Sequence, residues 1–363
     1  MLINNLKKLV SFQTTPDNME EISRFMKWIK SELPKGLYIR EFNQKTHPIL
    51  YISTRKTISP KILLATHIDI VSGPKALFRG KIQGDKFFGR GVFDMKFAIA
   101  SYLALINEQK EKLKNLDVGI LITSDEEIGG MNGTRKMLEN GLSAEICFLP
   151  DGGNNFSVER TAKGFFAYEI ECEGLSAHGS RTWEGVNAIE RLMEILKFLK
   201  NNPIFPSEPC GDKEHLHNTL NIGIISGGKA VNQIPDSASC VVDIRYINKK
   251  EKIEQLMESL SKKYHWVKIT KIREGALFSI DIQNQYLRKF CQIVEEDFHT
   301  KTSFVISHGS SDARFFASKK IPVILTRPKG GGPHSDKEWV SIKSLKIFHQ
   351  ALTKFVLKCA ISR

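Results

Sequence analysis

Acidic and imidazole side chains follow several of the hydrophobic runs in this chain. In chain order, the candidates for chemistry are His67, Asp94, Glu126, Glu127, Asp151 and His334. Three runs that precede them have the length and composition of buried strands, namely residues 62–65, 118–123 and 146–149. Because ligands of open α/β sheets bind at the carboxyl ends of the strands, these side chains are candidates for a functional site.

Imidazole and carboxylate groups together are the ligands that zinc or a similar borderline divalent ion prefers. Two such ions about 4 Å apart need one shared carboxylate and at least one private ligand each, and this set of residues can supply both. We predict that Asp94 is the shared carboxylate. Asp69 lies two residues after His67, and we predict that it orients the imidazole.

Glu126 and Glu127 are adjacent in the sequence. If their segment is extended, their side chains point to opposite sides, so that one can bind metal while the other moves protons. Each of these features alone is typical of an exposed pair of residues. The combined interpretation is strengthened by the glycine-rich turns beside them, which lie at residues 89–91, 129–130, 152–153 and 330–332.

The elements that position these residues alternate between strands and helices. The first part of the chain has the pattern of an α/β fold with a mostly parallel sheet. From about Lys163 the pattern is that of an antiparallel sheet with helices on one face, and the last part returns to the α/β pattern. We therefore predict a metal-binding catalytic domain of residues 1–162 and 274–363, and an inserted α+β domain of residues 163–273.

The chain has 363 residues and is basic, with 53 Lys and Arg against 40 Asp and Glu and a formal net charge of +13. Its basic residues are spread over predicted helix faces, so we expect no nucleic-acid partner. The apolar runs are far shorter than the roughly 18 residues that suggest a membrane span, and the N-terminus lacks the features of a signal peptide. These observations predict a cytoplasmic protein that has no membrane partner.

The cysteines are widely scattered, and none of them forms a Cys-x-x-Cys pair. Such a distribution favours buried free thiols over a thiolate zinc site or a disulfide framework. The residues concerned are Cys147, Cys172, Cys210, Cys240, Cys291 and Cys359.

Six motifs together resemble a known family. They are residues 66–69 (Thr-His-Ile-Asp), 88–96, 124–129, 174–178, 227–236 and 333–335. In this order and over essentially the whole chain, they resemble the dinuclear-zinc aminoacylase and carboxypeptidase family, which includes succinyl-diaminopimelate desuccinylase, acetylornithine deacetylase, the glutamate carboxypeptidases and cytosolic dipeptidases. The resemblance implies a zinc-peptidase-like three-layer catalytic domain and an inserted lid that also forms a homodimer.

The resemblance also implies two bound divalent ions, which are zinc, with cobalt or manganese as alternatives. The implied ligands are His67, Asp94 and Asp151 for one ion, and Asp94, Glu127 and His334 for the other. Glu126 would be the general base, which takes a proton from the water that bridges the ions and delivers it to the leaving amine.

Lid residues are implied to act on the substrate. His178 matches the lid histidine that reaches the partner subunit's site and stabilises the tetrahedral oxyanion, and the alternative is a histidine in an ordinary turn. Asn232 and Arg245 match residues that hold the substrate carboxylate. Arg245 could instead pair with Asp243 or a lid neighbour.

Two further segments are assigned to the substrate. Ser310 and Ser311 match a Thr-Ser-Asp turn whose hydroxyl and backbone N–H groups face the substrate, and a helix N-cap is the competing explanation. Gly331, in a glycine-rich turn, is assigned to the substrate site with them.

Two positions depart from the family pattern. Asp151 stands where desuccinylases and acetylornithine deacetylases usually have Glu, and it resembles dipeptidase-like members. Phe97 stands where Gly is usual.

We expect a metal-dependent hydrolase that cleaves the amide bond of a small, carboxylate-bearing N-acyl-amino acid by a metal-bridging hydroxide, as a deacetylase or desuccinylase does. A dipeptidase or carboxypeptidase is the alternative within the family. A non-catalytic binding protein on the same scaffold is the alternative from another class of protein.

Overall fold

Continuous apolar runs form the strands in one part of the chain, and alternating patterns form them in another. The computed structural model describes residues 1–43, 46–206 and 214–361. The chain divides into two compact units. The first comprises Met1–Thr161, Ser279–Ser307 and Ser311–Arg363, and the second comprises Ala162–Phe278 and His308–Ser310.

Both units contain helices and strands, numbered in chain order. Within the described residues, the α-helices are α1 (Leu2–Val10), α2 (Met19–Ser31), α3 (Lys96–Glu108), α4 (Thr134–Glu139), α5 (Ala188–Lys200), α6 (Lys250–Lys263), α7 (Gln285–Gln292), α8 (Ala313–Ser318) and α9 (Ile342–Cys359). The strands are β1 (Tyr38–Phe42), β2 (Ile49–Ser53), β3 (Ile62–His67), β4 (Lys81–Gln83), β5 (Lys86–Phe88), β6 (Val118–Thr123), β7 (Ile146–Phe148), β8 (Ser157–Ala162), β9 (Gly164–Glu173), β10 (Thr219–Gly227), β11 (Ser237–Tyr246), β12 (Val267–Gly275), β13 (Phe278–Ser279), β14 (Ser303–Ser307), β15 (Val323–Ile324), β16 (Gly330–Gly331) and β17 (Trp339–Ser341).

The main sheet of the first unit has the strand order β1-β2-β6-β3-β7-β15. Strands β6, β3, β7 and β15 are parallel to one another, whereas the pairs β1-β2 and β2-β6 at one side are antiparallel. Strands β2, β3, β6 and β7 are buried along their whole length, as continuous apolar strands of a covered sheet are. The predicted α/β fold with a mostly parallel sheet is confirmed.

Helix α3 is apolar on all sides and is buried from Lys96 to Ile106. A helix with this composition belongs inside a protein, and α3 packs against α1, α9 and β3. It begins two residues after Asp94, so the packing of the core also fixes the position of the preceding loop.

The second unit contains an antiparallel sheet with the strand order β10-β11-β9-β12. Along β9, buried and half-buried residues alternate, which is the pattern of a sheet covered on one face. The buried side chains pack with helices α5 and α6 into one core that includes Phe166, Ile195, Val242 and Met257. The remaining strands of the described residues form two small sheets, β13-β8-β14 and β16-β17-β5-β4.

The cysteines of the described residues are free thiols, three buried and two partly exposed. Cys210 lies outside the described residues. Among the helices that the structure describes, none combines the length and the hydropathy needed to cross a bilayer.

Candidate metal centre

Three neighbouring parallel strands bring the candidate ligands to one edge of the main sheet. His67 is the last residue of β3, which lies between β6 and β7. Glu126 and Glu127 follow β6, and Asp151 follows β7. Since parallel strands end at the same edge, the sheet gathers side chains that are far apart in the sequence.

The ligand atoms of the candidate residues form two groups. In each group, one nitrogen or oxygen atom of every residue lies within 4.8 Å of those of the others. The first group is His67, Glu126 and Asp151, and the second is Asp94, Glu127 and His334. The structure therefore brings together the six acidic and imidazole residues at which the sequence predicts metal chemistry.

Asp94 contacts a histidine of each group through a different carboxylate oxygen. Its Oδ1 lies 3.5 Å from Nε2 of His67, and its Oδ2 lies 3.3 Å from Nε2 of His334. Nε2 of His334 also lies 3.2 Å from Oε2 of Glu127. A carboxylate shared by two cations needs this kind of placement.

Glu126 and Glu127 do not lie in an extended segment. They open a one-turn 3-10 helix, Glu126–Ile128, which ends at Gly129 with a φ of 112°. The two carboxylates nevertheless belong to different ligand groups. Successive side chains of a 3-10 helix fan around its axis, so the tight turn provides the separation that extended backbone would also have provided.

Asp69 holds the imidazole of His67 mainly through its backbone. Nδ1 of His67 lies 3.0 Å from the carbonyl oxygen of Asp69 and 3.5 Å from its Oδ1. Oδ2 of Asp69 accepts a 2.8 Å hydrogen bond from the backbone N–H of Glu127. Asp69 thus links the orientation of His67 to the turn that carries Glu127.

Burial and neighbouring charges set the protonation of the site. Burial raises the pKa of Glu126 well above its ordinary value, and the Asp151 carboxylate raises it further. Burial, followed by the charge of Asp94, raises the pKa of Asp151 in the same way. Burial acts on Asp94 too, but its contacts with the imidazoles of His334 and His67 outweigh burial and hold the pKa of Asp94 well below its ordinary value. Contact with Asp94 raises the pKa of His334 to about 9.

The residues present fit divalent cations. Two imidazoles and four carboxylates form a nitrogen and oxygen donor set that suits zinc. Nε2 of His67 is buried and makes no hydrogen bond within the part of the chain that the structure describes. A cation would satisfy this nitrogen and relieve the repulsion between the buried carboxylates of Glu126 and Asp151.

Two further buried carboxylates, which lie within the sequence motifs but were not predicted as site residues, contact the loop after the 3-10 turn. Oδ2 of Asp125 accepts hydrogen bonds from the backbone N–H groups of Asn132 (2.7 Å) and Gly133 (3.0 Å). Gly130 has a φ of +65°, and a Cβ there would lie 2.1 Å from Oδ1 of Asp312. Burial raises the pKa of Asp312 to about 6. Asp125 comes two residues after the apolar run 118–123, and this position at a strand end is the signal that could have indicated it.

Sequence reasoning also missed a buried ion pair, Glu338 and Arg90, whose Oε2 and Nη1 atoms lie 3.2 Å apart. Both side chains are almost fully buried, with exposures of 1% and 3%. Glu338 comes four residues after His334, and Arg90 comes four residues before Asp94. Their short distance in sequence from two predicted ligands is the signal that could have indicated a role at the site.

His178, Asn232 and Arg245, the predicted lid residues, belong to the second unit. His178 is exposed and forms an isolated bridge with Gln233. The carbonyl oxygen of Asn232 accepts a 2.7 Å hydrogen bond from the backbone N–H of Gly179. The structure therefore brings the segments of His178 and Asn232 together within this unit.

Arg245 makes the contact that was weighed as its alternative role. Its Nε and Nη2 atoms donate hydrogen bonds of 2.7 and 3.0 Å to the two carboxylate oxygens of Asp243. Its guanidinium also lies over the ring of Phe165, at 5.3 Å from the centroid. The fork of the guanidinium is thus held in one orientation.

The remaining predicted residues lie in turns. Ser310 belongs to the second unit and Ser311 to the first. Oγ of Ser311 accepts a 3.4 Å hydrogen bond from the backbone N–H of Ala313 at the start of α8, which is the local contact expected near a helix N-terminus. Gly331 lies in β16 and pairs with Trp339 of β17.

The fold and the paired ligand groups are those of a metallopeptidase. The model of the family described as "Peptidase family M20/M25/M40" matches residues 63–358, which is most of the chain. The chain belongs to this family. It is therefore a hydrolase that acts on amide bonds, and the predicted family resemblance is confirmed.

Curated relatives match all or a large part of the chain. It is 26% identical to the succinyl-diaminopimelate desuccinylase of Rickettsia massiliae over 392 residues, which cover 99% of this chain and 100% of the relative. It is 27% identical to a probable carboxypeptidase of Aspergillus clavatus over 263 residues, which cover 67% of this chain and 62% of the relative.

Solved structures show the same fold. A tripeptidase from Staphylococcus aureus has a TM-score of 0.78 at 19% identity and covers 99% of this chain and 98% of its own. A metallo-carboxypeptidase from Sulfolobus solfataricus has a TM-score of 0.77 at 16% identity and covers 99% of both chains.

Proposed function

We propose that this protein hydrolyses the amide bond of a small N-acyl-amino acid that carries a free carboxylate. The observation that carries the proposal is the contact of Asp94 with a histidine of each group, together with the position of Glu126 near His67 and Asp151. Bound divalent ions would lower the pKa of a water molecule and polarise the substrate carbonyl. Zinc suits the donor set, and cobalt and manganese are the alternatives.

Glu126 is the general base in this proposal. Its carboxylate is buried and lies close to Asp151. Burial and the negative charge of Asp151 both raise the pKa of Glu126. A raised pKa increases the proton affinity of the carboxylate, which suits a base that works near neutral pH. Glu126 takes a proton from the attacking water and later gives it to the leaving nitrogen. Asp69 keeps the imidazole of His67 in place during both steps.

The second unit supplies the proposed substrate contacts. His178 stabilises the oxyanion by donating a hydrogen bond to it. Asn232 and Arg245 bind the substrate carboxylate, for which the planar fork of a guanidinium is suited. The turn residues proposed to line the same site are Ser310, Ser311 and Gly331.

We also propose a homodimer formed through the second unit. The strand order places β10 at an edge of its sheet, where Ile224 and Ile225 are 63% and 60% exposed. Helix α5, which packs beside β10, exposes Met193 and Phe198 by 60% and 44%. An edge strand next to exposed apolar side chains favours pairing with a second copy of the chain.

Two observations bear on the type of substrate. The full-length similarity to desuccinylases favours deacylation of an N-succinyl or N-acetyl amino acid. Asp151 favours a dipeptidase or carboxypeptidase, because this residue resembles that branch of the family. We place deacylation first and peptide hydrolysis second.

The test is the release of primary amine by zinc-loaded protein from a panel of N-succinyl-amino acids, N-acetyl-amino acids and dipeptides. We expect turnover of one acyl class. Glu126→Ala should lower kcat by about 10²–10⁴-fold, because the proton transfer is lost, while the zinc content stays at the wild-type level.

Glu111→Ala, which removes an exposed glutamate from the same unit, is the control and should keep full turnover. Equal activity of Glu126→Ala and wild type would remove Glu126 from the role of base. Metal binding without turnover of any substrate in the panel would favour a binding protein on a peptidase scaffold.

A further inference from the structure

A buried carboxylate organises the loop that presents Asp94. Oε1 of Glu338 accepts hydrogen bonds from the backbone N–H groups of Phe93 (2.8 Å) and Asp94 (3.1 Å). Its Oε2 accepts a 2.9 Å hydrogen bond from the N–H of Gly91 and a 3.2 Å hydrogen bond from Nη1 of Arg90. Both oxygens of one side chain therefore hold four donors from a single turn of the chain.

The guanidinium of Arg90 extends these contacts to the turn of the second ligand. Nη1 donates a 3.1 Å hydrogen bond to the carbonyl oxygen of Ser335, and Nη2 lies 3.5 Å from that of His334. Nη2 also lies 3.4 Å from the carbonyl oxygen of Ser72. The backbone of His334 has a φ of 63°, a conformation that residues other than glycine adopt only when their surroundings hold it.

The ion pair thus fixes two turns whose functional side chains meet. Glu338 holds the backbone at Asp94, Arg90 holds the backbone at His334, and the side chains of these two ligands lie 3.3 Å apart. A buried ion pair is a weak source of stability, because desolvation offsets much of the attraction. The contacts of the Glu338–Arg90 pair instead indicate a role in holding the two ligands in position.

We propose that Glu338 and Arg90 are positioning residues that set the spacing of Asp94 and His334 and thereby the metal affinity of the second ligand group. The inference rests on the proposed function, because it takes Asp94, Glu127 and His334 as metal ligands. Two of the three residues of the second group are held by the pair, whereas His67, Glu126 and Asp151 are absent from its described contacts. The ion of the second group should therefore lose more affinity than the other ion, which shares only Asp94 with it.

Glu338→Gln tests this selectivity. The substitution keeps the size of the side chain, but one oxygen becomes an amide nitrogen that faces N–H donors. We expect two zinc ions per wild-type chain. In the variant, the second ion should bind about 10–100-fold more weakly, and the loss for the first ion should be at least tenfold smaller. The measurement is zinc titration in competition with a chromophoric chelator, with circular dichroism to verify the fold.

Asp85→Asn is the matched control. Asp85 is another carboxylate that accepts a backbone hydrogen bond, 2.8 Å from the N–H of Lys343, at the start of α9. Its loss should lower the stability of the chain and leave both zinc affinities unchanged. A purely structural role of Glu338 would give the same result as this control.

Arg90→Lys is a second variant, which tests the positioning role if Glu338→Gln does not fold. Lysine keeps the charge but lacks the fork that reaches two turns at once, so the second ion should again bind more weakly. Wild-type zinc affinities in a folded variant, or equal losses for both ions, would overturn the proposal. If wild type itself binds fewer than two zinc ions, the proposed function fails, and the inference fails with it.

Discussion

At the scale of single residues, His334 differs from most of its fellow ligands because 56% of its side chain is exposed. Its pKa is raised to about 9, chiefly by the hydrogen bond with Asp94. Zinc needs a neutral imidazole nitrogen, so the proton must leave when the ion binds. We predict that the zinc affinity of protein stripped of metal rises with pH up to about 9, by at most about tenfold per pH unit for this one proton.

The measurement is calorimetric zinc titration between pH 6.5 and 9 in buffers that differ in ionisation enthalpy, which reports the protons released. His334→Asn should reduce the proton release by up to one per chain. Proton release that is the same in wild type and variant would contradict the assignment of His334 as a ligand.

At the scale of the elements, helix α3 begins with a buried cation. Lys96 is fully buried, and its Nζ donates a 2.7 Å hydrogen bond to the carbonyl oxygen of Phe12. Burial lowers its pKa to about 7. In the unfolded chain the pKa of lysine is about 10.4, so between these values the unfolded state binds more protons than the folded state. The contribution of Lys96 to the stability of the fold should therefore rise from about pH 7 to pH 10.

The size of this rise is bounded by the shift of the pKa at about 5 kcal/mol, and solvent relaxation makes the real value smaller. Lys96→Met carries no titrating group and should flatten the curve. Urea unfolding at pH 7 and pH 9 measures the difference. Lys110→Met, at an exposed position, is the control and should keep the wild-type slope. Equal slopes in Lys96→Met and wild type would contradict the burial of the charge.

The loop after the 3-10 turn offers a matched pair of glycines. Gly129 and Gly130 both have positive φ values, of 112° and 65°. A Cβ at Gly129 would meet no atom within 4 Å, whereas one at Gly130 would meet Asp312 and the ring of Phe315. We predict that Gly130→Ala displaces Asp312 and lowers kcat/KM by at least about tenfold. Small displacements of groups near a catalytic site reduce the rate strongly.

Gly129→Ala carries the cost of backbone strain, of order 1–3 kcal/mol, without the collision. Comparison of the two variants by urea unfolding and by steady-state kinetics separates strain from displacement. If Gly129→Ala loses as much activity as Gly130→Ala, conformational strain alone explains both.

The strand-end ligands were predictable, because β3, β6 and β7 are apolar runs that stop at a polar residue. The side chains of Asn284 and Ser341 cap helices α7 and α9, a local role that Asn and Ser commonly have before a helix. Contacts between distant segments were not predictable. Arg90 and Glu338 are 248 residues apart, and no local periodicity indicates that their charges meet.

The backbone conformation after β6 was also not predictable from the sequence pattern. Glu126 and Glu127 follow a strand, so an extended continuation and a tight turn both agree with the order of residues. The turn is decided by tertiary contacts. These include the hydrogen bond from the backbone N–H of Glu127 to Asp69, a residue 58 positions earlier in the chain.

At the scale of the whole molecule, the proposed homodimer allows a complementation test of His178. We mix Glu126→Ala and His178→Ala chains. If His178 acts on the partner subunit's site, each mixed dimer has one complete site, and random mixing restores about one quarter of wild-type turnover. Amine release from the mixture, compared with each variant alone, is the measurement.

Ile224→Asp, which places a charge on the exposed edge strand, should yield monomers in light scattering and prevent this recovery. Ile82→Asp changes an isoleucine of the first unit that is 50% exposed and should leave the dimer intact. Verified mixed dimers without recovered turnover would show that His178 acts within its own chain or not at all.

The insertion of the second unit into the first imposes an order on synthesis. His67, Glu126 and Asp151 are all translated before the ribosome begins the second unit, whereas His334 is translated after the whole of it. Domains form progressively from the N-terminus as the chain emerges. The residues of the first ligand group are therefore made long before the second group is complete, and the capture of two ions has to wait until the second unit has been synthesised.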